Sequence, residues 1–192
     1  MLSDGTIIAL ASPRGSGAIG LIRISGTQAF KKTALFFQSK SKKKFEKLSA
    51  NTSHLGDFVV NEKLIDEVLL TKFKKPRSYT GEDIVEISCH GSTYIQQKII
   101  ENFLEVGVKP AKAGEFTLRA YLNRKMDLSQ AEAVADIISA ESSAAHQISI
   151  KQMRSGFSKK IKTLRQELIK FKSLIELELD FSEEEVEFAN LN

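Results

Sequence analysis

The chain has 192 residues, which allows one or two domains, and 42% of them are hydrophobic, enough for a buried core. With 28 lysine and arginine residues against 24 acidic ones, the net charge is only +4, which excludes a nucleic-acid-binding surface over the whole molecule and limits any contact with RNA to a local patch. A single cysteine excludes an internal disulfide framework, and the sequence shows no secretory signal or membrane-length apolar stretch, so we expect a cytoplasmic protein that does not enter a membrane.

Short β-rich runs and turns dominate the residues before Gly114. They predict strands over 6–11, 18–25, 54–60, 64–73 and 84–88, and helices over 27–37 and 92–106. The third and fourth strands flank the turn Asn61-Glu62-Lys63 and should form a hairpin. In the fifth strand, polar Glu86 and Ser88 alternate with apolar neighbours, which predicts a strand with one polar side.

After Gly114 the amino-acid composition favours helices. A short helical turn over 116–122 should end at Asn123, and Ser129-Gln130-Ala131-Glu132 matches a capping box that would open an alanine-rich helix over 131–145. A further helix should need a partner, because its apolar residues have heptad-like spacing: Phe157, Ile161, Leu164, Leu168, Phe171 and Ile175. Since the sequence ends just after the acidic stretch 183–187, we expect it to be a fragment of a longer protein.

The segment from Gly15 to Gly20 contains the pattern G-x-G-x-x-G. In a dinucleotide-binding fold these glycines follow a strand and begin a helix, and an acidic residue that binds the ribose follows about 20 positions later. Here residues 21–25 are apolar and β-branched, which predicts a strand, and the region after position 36 is basic. We therefore interpret the segment as a flexible loop between two strands, where glycines let the backbone approach a ligand closely.

Other catalytic and cofactor motifs are missing from the sequence. None of the eleven glycines is followed by lysine, so the phosphate-binding motif G-x-x-x-x-G-K-[ST] is absent. The three histidines are far apart and lack metal-ligand spacing, so we predict no metal site and no catalytic residue. Cys89 should be a core residue, whereas His90, at a strand end, could either line a site or make a structural hydrogen bond.

Two basic runs allow two interpretations. They comprise Lys40, Lys42, Lys43, Lys44 and Lys47, and then Lys72, Lys74, Lys75 and Arg77. One interpretation is a solvated loop and strand edge, where lysines also discourage aggregation. The other is a local RNA-facing patch, because phosphate contacts need only local positive charge. The runs lack the interleaved aromatic residues of a base-stacking surface.

Several blocks of the sequence resemble the MnmE/TrmE family of tRNA modification GTPases, over residues 6 to about 188. They are Ala11–Gly15 with Gly20–Gly26, Arg77–Asp83 with Glu86–Gly91, Gly114–Asn123 with Lys125–Ala133, and Leu179–Glu184. The chain departs from the family pattern at Arg14 and Ala113, where proline is usual, and at Ser92, where a second glycine is usual. These differences should change loop stiffness only.

The resemblance implies an α+β fold, with a small mixed sheet and flanking helices similar to the folate-binding domain of glycine-cleavage aminomethyltransferases, followed by an all-α helical segment. It divides the chain into a folate-binding and dimerisation domain over 1–118 and the first part of a helical domain over 119–192, which stops before the GTPase domain of the family.

The resemblance also implies a function. Members of the family form homodimers and bind 5-formyltetrahydrofolate or methylenetetrahydrofolate. With an FAD-dependent partner similar to MnmG/GidA, they install a carboxymethylaminomethyl-type group at position 5 of the tRNA wobble uridine. GTP, magnesium and potassium bind the GTPase domain, which this sequence lacks together with the C-terminal cysteine motif. We therefore expect this chain to bind folate without completing the reaction, and we leave open whether it is itself an enzyme.

The folate-contacting residues of the family fall on Arg23, Glu86 and Lys125. A carboxylate such as Glu86 can accept the adjacent N–H and amine of a reduced pterin together, whereas Arg23 and Lys125 suit the anionic glutamyl tail. From residue type alone, surface salt bridges would be the better explanation of all three, and only the match to the family's motifs favours folate contacts. Two other functions compete: a ligand-free helical scaffold or dimerisation module, and a nucleotide-dependent oxidoreductase built on the glycine loop.

Overall fold

The structure, a computed structural model, describes residues 5–154 and 156–188, with side chains for 5–154 and 160–179. The chain forms two compact units, Met1–Met126 and Asp127–Asn192. The boundary expected after residue 118 therefore lies eight residues before the observed one. No helix in the described part of the chain is long and apolar enough to cross a membrane.

The first unit is built on one seven-stranded mixed sheet. Its strands are β1 (Ile7–Leu10), β2 (Ile19–Ser25), β3 (Phe37–Ser39), β4 (Ser53–Val60), β5 (Lys63–Phe73), β6 (Ile84–His90) and β7 (Lys109–Pro110), in the order β3-β4-β5-β6-β2-β1-β7. All neighbours pair antiparallel except β1 and β7. The helices are α1 (Ala29–Thr33), α2 (Thr93–Glu105) and α3 (Glu115–Leu122), with a 3₁₀ turn at Phe45–Lys47. The predicted α+β class with a small mixed sheet is confirmed.

The predicted hairpin forms between β4 and β5, with Asn61 and Glu62 as a two-residue turn. Both turn residues have positive φ, 47° and 64°, the conformation that matches the twist of such hairpins. The helix predicted over 27–37 is wrong in its second half, because Phe37 begins β3. The ring of Phe37 lies over Gly56 of β4, where any Cβ would come within 2.4 Å of it, so tertiary packing overrides the local helical pattern.

The two faces of the sheet differ because side chains alternate along each strand. One face, the core face, packs on α1 and α2 through fully buried residues: Ile22, Ile24, Leu70, Val85, Ile87, Ile99 and Phe103. The opposite face, here called the open face, carries Arg23 and Glu86 in one row and Leu55 and Leu69 in another. The predicted polar side of β6 at Glu86 and Ser88 lies on this open face.

The second unit contains α4 (Leu128–Ser139), α5 (Ser143–Met153) and α6 (Gly156–Phe188). The capping box predicted at Ser129 is wrong by two residues: the Asp127 side chain accepts from the Gln130 N–H at 2.9 Å, and the Gln130 side chain accepts from the Asp127 N–H at 3.0 Å. The single helix expected over 131–145 is also wrong. It ends at Ser139, and Ser142 caps a new helix by accepting from the Ala145 N–H.

The heptad-like seam lies on α6. Its members with described side chains are between 42% and 62% exposed: Ile161, Leu164, Leu168, Phe171 and Ile175. The Phe157 side chain and the acidic stretch 183–187 lie outside the described side chains. The seam is therefore an apolar helix surface that the described part of this chain leaves uncovered.

Candidate functional site

Arg23 and Glu86 form an ion pair on the open face of the sheet. They stand opposite each other in the antiparallel register of β2 and β6. Both Nε and Nη2 of Arg23 lie 2.8 Å from Oε1 of Glu86. The side chains are 24% and 22% exposed, so the pair is partly shielded and still reachable by a ligand. Two of the three predicted site residues are thus brought into direct contact.

Two aromatic rings cover the Arg23 guanidinium. Its Cζ lies 5.2 Å from the centre of the Tyr79 ring and 5.6 Å from that of Phe116, both within cation–π range. The two rings come from separate segments of the chain. A hydrogen bond of 2.8 Å between Tyr79 Oη and Thr117 Oγ1 joins these segments. The site is therefore an ion pair beside a small aromatic wall.

The loop that carries Tyr79 is anchored by the residues that follow it. Ser25 Oγ, at the end of β2, lies 2.7 Å from Thr80 Oγ1 and donates to Glu82 Oε2 at 2.8 Å. Ser25 and Thr80 are fully buried, so neither hydroxyl can turn to water. This polar contact ties the loop to the strand that bears Arg23.

Arg119 connects the same loop to α3. Its Nη1 lies 3.2 and 3.1 Å from the two carboxylate oxygens of Glu82, while Nη2 reaches Glu115 Oε1 at 3.0 Å and the Gly5 carbonyl at 2.9 Å. The Arg119 side chain is almost completely buried, and so is that of Glu115. The cluster formed by Arg119, Glu82, Glu115 and Ser25, here called the Arg119 network, explains why α3 belongs to the first unit and why the domain boundary falls beyond residue 118.

Glu115 is ionised within this network. Burial alone would raise its pKa, but the hydrogen bonds from the Lys112 N–H and from Arg119 outweigh burial and lower the pKa below the ordinary value of 4.5. Glu115 is therefore a charged acceptor at neutral pH, and its negative charge balances the buried guanidinium.

Lys125 lies apart from the Arg23–Glu86 pair. Its ammonium donates to the Pro76 carbonyl at 2.9 Å, and its side chain crosses Gly81, where an added Cβ would be 3.3 Å from Lys125 Cγ. It forms no ion pair with Glu86. This third predicted residue therefore contacts the loop that carries Tyr79 rather than the ion pair.

The glycine-rich segment is a loop between β1 and β2, and the residues after Gly20 form a strand, as predicted. The Gly17 N–H donates to the Gly91 carbonyl at 3.0 Å, and the Gly91 N–H donates to Ala18 at 3.1 Å. A Cβ at Gly91 would lie 2.2 Å from the Gly17 oxygen, so only glycine permits this approach. The strand contradicts the helix that a dinucleotide-binding motif requires.

Cys89 and His90 point to opposite faces of β6. Cys89 is buried in the core, as predicted, and burial raises its pKa to about 11. His90 Nδ1 lies 2.6 Å from Asp66 Oδ1, and its backbone N–H donates to Asp66 Oδ2 at 2.8 Å. His90 therefore makes the structural hydrogen bond that was one of its two interpretations. Among the described residues, no histidine, cysteine or acidic cluster could hold a metal ion.

The basic runs separate into three environments. Lys40 pairs with Asp57 and Glu67, and these hydrogen bonds raise its pKa. Lys42, Lys43 and Lys44 are exposed. Lys72 is only 5% exposed, so its interpretation as a solvated edge lysine is wrong. Lys72 lies on the core face of β5, where it is buried beside Val85. This placement depends on the pairing register of β5 with β6, which the composition of a basic run cannot indicate.

Sequence reasoning missed Tyr79, Phe116 and the Arg119 network as parts of the site. Both aromatic residues lie in sequence blocks that resemble the family. Glu115 directly precedes the predicted helical turn over 116–122 and is four residues from Arg119, the spacing that puts two residues on one helix face. The sequence does not indicate that Glu82 contacts Arg119. Nor does it indicate that Arg23 contacts Tyr79 and Phe116.

Known proteins resemble this chain along its whole length. Residues 6–125 match the family described as GTP-binding protein TrmE N-terminus, and residues 128–192 match the MnmE helical domain. Proteins named tRNA modification GTPase MnmE are similar: that of Christiangramia forsetii is 57% identical over 99% of this chain and 40% of its own length, and that of Flavobacterium johnsoniae 58% identical over 99% and 41%.

The MnmE protein of Cytophaga hutchinsonii is 54% identical over 96% of this chain and 40% of its own length. The chain thus spans about two fifths of the length of the curated relatives it matches. The chain therefore belongs to the MnmE (TrmE) family, and residues 6–125 and 128–192 correspond to the N-terminal and helical domains of that family.

Proposed function

We propose that this chain is the tetrahydrofolate-binding and dimer-forming part of a tRNA modification GTPase. The observation that carries the proposal is the Arg23–Glu86 ion pair, partly exposed on the open face beside Tyr79 and Phe116. The ligand would be 5-formyltetrahydrofolate or methylenetetrahydrofolate. A flat, partly charged ligand suits a site that combines a carboxylate with aromatic rings.

The residues present fit a reduced pterin. Glu86 uses Oε1 for both contacts with Arg23, which leaves Oε2 available to accept from a ligand. A neighbouring pterin N–H and amine could share this carboxylate, which the Arg23 guanidinium holds in place through Oε1. The Glu86 role expected from the sequence is therefore compatible with the geometry.

The role of Arg23 needs revision within the proposal. Arg23 is bound to Glu86 and covered by two rings. It would therefore orient Glu86 towards the pterin and would not bind the glutamyl tail. Lys125, whose exposed ammonium binds the Pro76 carbonyl beside the Tyr79 loop, remains the cation proposed for the tail carboxylates. A point charge on a flexible stem tolerates the variable position of such a tail.

The open face also supports the proposed homodimer. Leu55 and Leu69 stand opposite each other in β4 and β5 and are 46% and 48% exposed. Exposed apolar pairs on one face of a sheet mark an interaction surface, and a second copy of the chain would cover them. The dimer would then lie beside the folate site, because both occupy the open face.

The remaining functions belong to the proposed parent enzyme. It would bind GTP with magnesium and potassium in its GTPase domain. With an FAD-dependent partner it would modify position 5 of the tRNA wobble uridine. Exposed Lys42, Lys43 and Lys44 line a cleft of about 450 Å³ and offer the local positive charge that tRNA phosphates require.

Calorimetric titration with 5-formyltetrahydrofolate tests the ligand. We expect micromolar affinity, about −8 kcal/mol. Replacing Glu86 by glutamine or alanine should weaken binding by about 1.5 to 3 kcal/mol, the usual scale for a hydrogen bond to a charged group. Glu101→Gln, which alters an exposed carboxylate on α2, is the matched control and should bind as the unmodified chain does. Saturation by NAD instead of folate would overturn the proposal.

Light scattering tests the dimer. Leu55→Asp with Leu69→Asp should produce monomers, because like charges on the open face cannot be buried at an interface without partners. Leu164→Asp with Leu168→Asp changes the exposed seam of α6 in the same manner and should leave the dimer intact. A monomeric unmodified chain, or a dimer lost only in the α6 variant, would contradict the open-face dimer.

A further inference from the structure

A second cleft lies on the core side of the sheet, away from the Arg23–Glu86 pair. It has a volume of about 730 Å³, within the usual range of small-molecule sites, and lies between α1, the 45–50 segment and the end of β5. Its walls are mainly apolar, with Phe30, Ala34, Leu35 and Leu48 among the lining residues. Lys31 and Lys74 also line it, as does the buried Lys72.

Lys72 has one N–H that no described residue accepts. Its Nζ donates to the Phe45 carbonyl at 2.9 Å and to the Leu48 carbonyl at 3.1 Å. An ammonium has three donors, so one remains for a ligand. The same nitrogen lies 4.6 Å from the ring centre of Phe45 and 5.0 Å from that of Phe30. These contacts hold the ammonium in one place.

A buried ammonium of this kind favours an anionic ligand. Burial lowers the pKa of Lys72, and the negative charges of Glu46 and Asp83 offset this only in part, because neither forms an ion pair with Lys72. A carboxylate that entered the cleft would accept the third N–H and neutralise the charge that burial disfavours. Such a charge-assisted hydrogen bond is stronger in a desolvated cleft than at the surface.

The surrounding charges and rings narrow the class of ligand. Lys31, Lys72 and Lys74 outnumber the single acidic lining residue, Glu46, so the cleft is positive overall. A nucleobase has little to stack on, because Lys72 occupies the faces of Phe30 and Phe45. Apolar walls and one available donor instead suit an apolar chain that ends in a carboxylate.

We infer that this cleft binds a small amphipathic carboxylate, with its acid group on Lys72 and its apolar body along Phe30, Ala34 and Leu35. The site is separate from the proposed folate site, because Thr71 and Lys72 are adjacent in β5 and face opposite sides of the sheet. Lys31 and Lys74 attract the anion and assist its entry.

Calorimetry with decanoate, below the concentration at which it forms micelles, tests the inference on the full chain. Decanoate should saturate one site per chain, whereas decanol and decyltrimethylammonium should bind at least tenfold more weakly. Lys72→Met should weaken decanoate at least tenfold. Lys63→Met, which changes an exposed lysine of the same strand, should have no effect.

A second variant tests the cleft without changing Lys72, whose replacement could prevent folding. Ala34→Phe fills the wall of the cleft without touching the hydrogen bonds of Lys72, and it should abolish decanoate binding while the melting temperature stays close to that of the unmodified chain. Equal binding of decanol and decanoate, or full binding by Ala34→Phe, would overturn the inference. Glu86→Gln should leave decanoate binding unchanged, and competition between decanoate and 5-formyltetrahydrofolate would also refute a separate site.

Discussion

Removing the guanidinium of Arg119 should destabilise the first unit strongly. Arg119→Leu replaces the guanidinium with a shorter apolar side chain, and it leaves the carboxylates of Glu82 and Glu115 without their shared cation. Glu115 is almost completely buried, and Arg119 is one of the groups that lower its pKa, so in the variant Glu115 would either carry an uncompensated charge or take up a proton, and both cost stability. The Gly5 carbonyl would also lose its donor.

Breaking a buried ion pair by removing one partner costs about 3 to 5 kcal/mol. For a slope of about 2 kcal/mol per molar urea, the unfolding midpoint should fall by roughly 1.5 to 2.5 M. Tyrosine fluorescence is the suitable probe, because the chain has no tryptophan and its three tyrosines, Tyr79, Tyr94 and Tyr121, all lie in the first unit. The second unit therefore does not contribute to the signal.

Two further variants separate the network from a general effect of lost charge. Arg77→Leu removes an exposed arginine from the neighbouring loop and should change stability by less than about 0.5 kcal/mol. Adding Glu115→Gln to Arg119→Leu removes one of the stranded charges and should recover part of the loss. If Arg119→Leu lowers the midpoint no more than Arg77→Leu does, the carboxylates are solvated and the reasoning is refuted.

The remaining predictions concern the lysines. Because burial lowers the pKa of Lys72, the unfolded chain binds more protons between that pKa and 10.5, and the folded state gains stability as pH rises through this range. The stability of the unmodified chain relative to Lys72→Met, measured by circular dichroism in urea, should therefore increase from neutral pH towards 10.5; a constant difference would contradict this. Replacing Lys42, Lys43 and Lys44 together by alanine should reduce tRNA binding in a filter assay and leave folding and folate binding unchanged, whereas lost folate binding would place these lysines at the folate site.

The sequence predicts the elements better than their contacts. Alternation along β6 and the turn at Asn61-Glu62 are local properties, so the strands and the hairpin could be predicted without knowledge of the fold. The capping box was displaced because both Asp127 and Ser129 are good caps with a suitable residue three positions later. Only the packing of the following helix decides which of the two begins it.

Contacts across the sheet were beyond sequence reasoning. Arg23 and Glu86 were predicted from motifs, but their pairing depends on the register of β2 against β6, which brings together residues 63 positions apart. Lys72 was misinterpreted for the same reason, since a lysine in a basic run is usually solvated. Its burial depends on two carbonyls, Phe45 and Leu48, that only the folded 45–48 segment presents to it.

The register of β5 against β6 keeps the two candidate sites on opposite faces of the sheet. Thr71 stands beside Glu86 on the open face, and Lys72 stands beside Val85 on the core face. A shift of one residue would exchange the faces, because the side-chain period of a strand is two. It would bring the ammonium of Lys72 next to the Arg23–Glu86 pair and deprive two buried carbonyls of their donor. The two-residue turn and the register shift at Phe58/Val59 together set the pairing of β4 with β5, so both must be kept for Lys72 to stay on the core side of the sheet.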